Sequence, residues 1–178
     1  LGSISNNNLN LEYEYIDLLR KLYFPNLNIQ KIIFNSKNNF FFKINEKFKL
    51  RDFEIKSQIN LSNFLILNNF KLKNFFPKIN ESINLINQKV EVDYKKNVLK
   101  VKGSGNLKMQ DNKDKINYLL TKKDNIYNFD TSLEINNNPI NIDFLGYQKS
   151  DGNDSIIRLK GYKKNNKQLT FDLISLNE

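Results

Sequence analysis

The chain has 178 residues and a formal net charge of +9, and it contains no cysteine, histidine, tryptophan or alanine. Without thiols or imidazoles it can form no disulfide, no cysteine-ligated zinc site and no serine–histidine relay. Of the 28 basic residues, only Arg20, Arg51 and Arg158 are arginine. The lysine excess therefore follows the Asn, Ile and Phe abundance of A+T-rich coding more closely than it follows nucleic-acid binding, which leans on arginine.

The opening, LGSISNNNLN, has neither an initiating Met nor a basic-then-apolar leader, and reads as the start of an excised fragment. In YEYIDLLRKLYF, Tyr15, Leu18, Leu19 and Leu22 recur at helical spacing and Pro25 follows, which predicts a short helix over 13–24. Next come the strand candidates IQKIIFN, NNFFFKIN, KFKLRDFEIKSQINL and FLILNNFKL, separated by Asn and Lys clusters. Around KLKNFFPKINESINLI a second short helix competes with a loop, and Pro77 favours the loop. No apolar run approaches the ~20 residues of a membrane-spanning helix.

From residue 88 to 178 the alternation is regular. Val90, Val92 and Tyr94 lead into NVLKVKGSGNLKM, where Leu99, Val101, Gly103, Gly105 and Leu107 share one side of an extended chain. Ile116, Tyr118 and Leu120 follow, then Tyr127, Phe129, Thr131, Leu133 and Ile135, and then Ile140, Ile142 and Phe144. Ile157, Leu159 and Gly161 precede a last strand with Leu169, Phe171 and Leu173. The intervening segments are rich in Asn, Asp, Gly and Lys, as turns require. With no linker and no long crossover, the chain reads as one β-rich segment, 1–178, whose clearest part is a long antiparallel meander over 88–178.

Chemistry is sparse. Ser104 has no histidine to activate it, and its GSG setting fits neither a nucleophile elbow nor a phosphate loop. Asp111, Asp114, Asp151 and Asp154 fall in expected hairpin tips, while Glu91 and Asp93 alternate with apolar residues on a solvated face. Phe40, Phe42 and Ile44 read as a core stripe, with Phe41 and Lys43 on the opposite side. No enzyme, cofactor or metal site is expected. The apolar face of the meander must instead be hidden by a second sheet, by helices or by an apolar ligand. Gly103 and Gly105 hollow that face, which lets a sheet bend or another group approach closely.

The runs QKVEVDYKKNVLKVKGSGNLKM, INYLLTKKDNIYNFDTSLEI and IDFLGYQKSDGNDSIIRLKGYKKNNKQLTFDLISL, with their xGxGxL element and the turn Lys149-Ser150-Asp151-Gly152, resemble the repetitive β-region of AsmA-like bacterial envelope proteins of the YhdP and TamB type. The resemblance covers about residues 47–178. It implies a mostly β, taco-like meander curled into an open groove, in a larger periplasmic protein anchored in the inner membrane outside this segment. Such a parent chain would move phospholipid, or another acyl-chain lipid, toward the outer membrane. Leu99, Val101, Leu107, Tyr127, Phe129, Leu133, Ile135, Ile142, Phe144, Leu159, Phe171 and Leu173 would then line the groove, and Gly103 and Gly105 would bend it. The rival reading is a closed β-sandwich serving as a structural or interaction module without ligand. A basic nucleic-acid-binding domain is the third, and no nucleic-acid partner is expected.

Overall fold

The computed structural model describes every residue except 24–26, 144–145, 151, 165–167 and 178, and the side chains of Leu22 and Tyr23. Eleven strands and one helix follow in the order β1 (Gly2–Asn10), α1 (Tyr13–Tyr23), β2 (Asn28–Ile44), β3 (Leu50–Leu67), β4 (Ser82–Lys95), β5 (Val98–Lys108), β6 (Asp114–Lys123), β7 (Ile126–Ile135), β8 (Ile140–Ile142), β9 (Tyr147–Lys149), β10 (Ser155–Lys164) and β11 (Gln168–Asn177). Nine of the strands form one antiparallel sheet in the order β1-β2-β3-β4-β5-β6-β7-β10-β11. The sheet is open, with β1 and β11 at its two edges. Strands β8 and β9 make a separate hairpin inserted between β7 and β10.

Alternation decides which face is inside. Along β4, Val90, Val92 and Tyr94 are half-buried while Lys89, Glu91, Asp93 and Lys95 are exposed. Paired residues share a face, so the register carries this distinction across the sheet. One inner row runs Asn38, Ser57, Val92, Val101, Leu120, Phe129, Gly161 and Phe171 from β2 to β11. The outer face mixes charges: Lys56, Asp93 and Lys100 are successive neighbours in one of its rows.

Extra residues crease the sheet along a line. The register shifts between Asn6 and Leu9 in β1, between Ile33 and Phe34 against β3, and between Ile86 and Lys89 in β4. All three border one row, since Leu9 pairs with Phe34, Phe34 with Leu61, and Leu61 with Gln88. Asn8 (φ 50°) and Asn87 (φ 52°) take the left-handed conformation that asparagine tolerates. Bulges bend a strand and strengthen its twist, so aligned bulges bend the sheet along this line.

The core occupies only one end. Ile29, Ile32, Ile66, Ile83, Leu107 and Ile135 from the sheet are covered by Ile16 of α1, Met109 and Ile140. Besides α1, the segments 68–81, 109–112 and 136–142 make this cap, and backbone and side-chain hydrogen bonds stitch these three together. Asn80 donates from its backbone to Met109 O (2.8 Å), and Gln110 Nε2 donates to Pro139 O (3.0 Å). Asn138 Nδ2 donates to Asn112 O (2.9 Å), and the Asn112 amide donates to Asn138 Oδ1 (3.0 Å).

Several local expectations change. The helix buries Ile16 and packs with Leu19, while Tyr15 and Leu18 face solvent, because α1 meets the start of β2 on one narrow stripe. Phe24, the last residue of the expected helix, lies outside the described residues. Residues 68–81 form turns, so the second helix is absent there. The four N-terminal strand candidates merge into the two long strands β2 and β3. The expected strand at Ile140 and Ile142 forms as β8, but it pairs with β9 in the cap hairpin rather than in the main sheet.

Candidate functional site: an uncovered apolar trough

Beyond the cap, toward the tips of the β4–β5 and β6–β7 hairpins, the inner face continues. Among the described residues no second sheet faces this stretch, so the closed sandwich is not the fold. Its floor is built from Val90, Val92 and Tyr94 of β4, Leu99 and Val101 of β5, Leu120 of β6, Phe129 of β7 and Leu159 of β10. These side chains are half-buried by their neighbours or exposed, in contrast to the sealed rows under the cap. Phe40 and Phe42 (ring centroids 6.3 Å apart) and Phe53 with Tyr94 (6.0 Å) extend the apolar surface toward the β2–β3 tip.

The expected lining residues divide into groups. Leu99, Val101, Tyr127, Phe129, Leu159 and Phe171 come together on the open part of the inner face. Leu107, Leu133 and Ile135 share that face but belong to the capped core, and Ile135 is fully buried. Ile142 sits in the cap hairpin rather than in the main sheet. Leu173 is a correction: Lys160 pairs with Leu173 but Gly161 pairs with Phe171, so Asp172 bulges and turns Leu173 to the outer face. Ile174, paired with Leu159, takes the inner position. Phe144 lies outside the described residues.

The two glycines are filled rather than empty. A Cβ on Gly103 would fall inside the ring of Tyr118, its direct partner on β6. A Cβ on Gly105 would come within 2.5 Å of Gln88 Nε2 and 2.8 Å of the Asn87 carbonyl oxygen. Gln88 is buried where the crease meets β5, and its Nε2 donates to Asn106 O (2.8 Å). Gly105 therefore seats the end of the crease, and Gly103 seats a ring. Gly2 with Phe40 and Gly161 with Phe129 repeat the ring-over-glycine pairing. Burial also pushes the Tyr118 phenol above its ordinary pKa.

Among the described residues no group of three or more acids, histidines or cysteines could hold a metal. Asp114, expected at a solvated tip, is instead sealed under the cap. Its Oδ2 accepts from Asn138 Nδ2 (2.8 Å), and Lys149 Nζ donates to Asn138 O (2.7 Å) beside it. Burial raises the Asp114 carboxyl pKa, against smaller lowering contributions from Asn138, the Asn136 backbone and the Lys149 charge. This network joins the hairpin β8–β9 to the main sheet.

Sequence reasoning missed three kinds of residue. Leu120 and the β4 stripe had the correct alternation to be included in the trough. Lys122 and Lys163 share the inner parity with Leu120 and Leu159, but their charge suggests an outer position. Gln88 could be placed only once the bulge at Asn87 was known. No family model, curated protein or solved structure matches the chain. Among the described residues no helix is long and apolar enough to cross a membrane.

Proposed function

We propose that the chain binds the acyl chains of a membrane lipid in its trough, as one segment of a larger envelope protein that passes lipid between the inner and outer membranes. The observation that carries this reading is the run of inner rows from Val90 to Leu159, apolar across several strands and uncovered among the described residues. Apolar surface in water costs about 25 cal/mol per Å² relative to burial, so an acyl chain laid across these rows, along the strands, recovers energy that solvent denies them. From Tyr127 to Thr131 the open part of the trough runs four residue steps along β7, about 13 Å at the rise of a strand. Half of a ~30 Å hydrocarbon layer is of the same order.

The resemblance to AsmA-like proteins supports a periplasmic setting, with the anchor and the rest of the span supplied by the parent chain. It asks for no catalytic residue or cofactor. The outer face weakens the nucleic-acid reading, because Lys56, Lys100 and Lys102 sit beside Asp93 or Glu91 rather than forming a continuous cationic stripe. The aromatic rings of the trough lie on the other face.

Organic extraction of the purified, folded protein followed by mass spectrometry tests the proposal. Phospholipid is expected in near-stoichiometric amount. Folded protein that carries no lipid, and takes none up from vesicles, would count for a ligand-free module.

A further inference from the structure

Among the described strand residues the open part of the inner face carries two charged side chains, both lysines. Lys122 of β6 and Lys163 of β10 lie in one row, each paired with Tyr127 of β7, which stands between them. Both are half-buried, and neither is within ion-pair distance of a described carboxylate. Lys122 Nζ instead stands 5.3 Å from the centroid of the Tyr127 ring. An ammonium on an apolar face keeps a desolvation cost that an aromatic ring offsets only in part and an anion offsets more fully.

The row has a position as well as a charge. It lies at the hairpin-tip end of the trough, with the apolar rows between it and the cap. At the other end Lys149 and Asp114 are buried beneath the cap, where Asn138 hydrogen-bonds both. Two strands separate the lysines, about 10 Å at the backbone, and their flexible four-carbon stems can reach a group lying between them.

We propose that the trough selects a phospholipid with a net-negative headgroup. Lys122 and Lys163 hold the headgroup at the hairpin-tip end, on either side of Tyr127, and the acyl chains run toward the cap. The inference rests on the lipid reading above and adds to it the headgroup charge and the direction of the bound lipid.

The experiment compares phosphatidylglycerol with phosphatidylcholine of identical acyl chains, using wild-type protein, the Lys122→Gln/Lys163→Gln double variant and an outer-face control, Lys100→Gln/Lys102→Gln. Wild-type protein and the control should prefer phosphatidylglycerol by about tenfold at low salt, equivalent to ~1.4 kcal/mol. The inner-face double variant should bind the two lipids alike, with its phosphatidylcholine affinity unchanged. Equal binding of both lipids by wild-type protein would overturn the headgroup proposal and leave the trough intact. So would a preference that survives the inner-face variant or disappears in the control. Failure to bind either lipid would remove the lipid reading itself.

Discussion

The Tyr118 ring lies across Gly103, its direct partner in the adjacent strand, and occupies the space a side chain there would need. Gly103→Ala should therefore destabilise the fold by about 1–3 kcal/mol through overpacking. Since the obstacle is a side chain, Tyr118→Ala should relieve part of that cost. Urea unfolding of the two single variants and the double variant should show strong non-additivity.

Gly161 makes the opposite prediction. A Cβ there would collide with the Thr170 carbonyl oxygen, which is backbone, as well as approach Phe129. Gly161→Ala should loosen the β10–β11 pairing, and Phe129→Ala should not restore it. Amide exchange should speed up across β11 while β4 and β5 keep their protection.

Asp114 gives the pH dependence a sign. Its carboxyl pKa is raised in the folded protein, so the folded state binds the proton more tightly than the unfolded chain. The contribution of this group to stability is fully present below the ordinary carboxylate value and is lost as pH rises through the raised one. Asp114→Asn should remove that part of the slope in urea midpoints taken across the window. Asp17 shifts downward through its hydrogen bonds to Lys21 and Arg20 and slopes the other way, so the comparison is between wild type and variant.

Cap and trough should separate stability from binding. Ile135→Ala removes a fully buried side chain and should cost about 2–5 kcal/mol. Val101→Ser, on the uncovered floor, should cost less than that while weakening lipid uptake. Thermal unfolding and lipid extraction on the same two variants check the contrast.

Much of the sheet was legible because alternation at Val90, Val92 and Tyr94, or at Tyr127, Phe129 and Thr131, is the physical signature of a two-faced strand. The bulges were not. Asp172 looks like any polar residue of a strand, yet it reverses the facing of Leu173, and only the register with Lys160 and Gly161 reveals it. The cap was hidden for a different reason. The alternation of Ile140 and Ile142 marks a strand but not that it leaves the main sheet, and the long-range amide contacts that hold the cap, such as Asn112 to Asn138, leave no periodicity in the sequence. The same alternation that marked Leu99 and Val101 as inner marked Lys122 equally well, but hydropathy alone placed it outside.

The absence of cysteine permits one direct test of the trough, since a single introduced thiol can be labelled without side reactions. An environment-sensitive fluorophore at Val101→Cys should be quenched by phosphatidylglycerol with brominated acyl chains, while the same label at Lys102→Cys on the outer face should not. Equal quenching at the two neighbouring positions, or none at Val101→Cys, would contradict a lipid lying along the inner face.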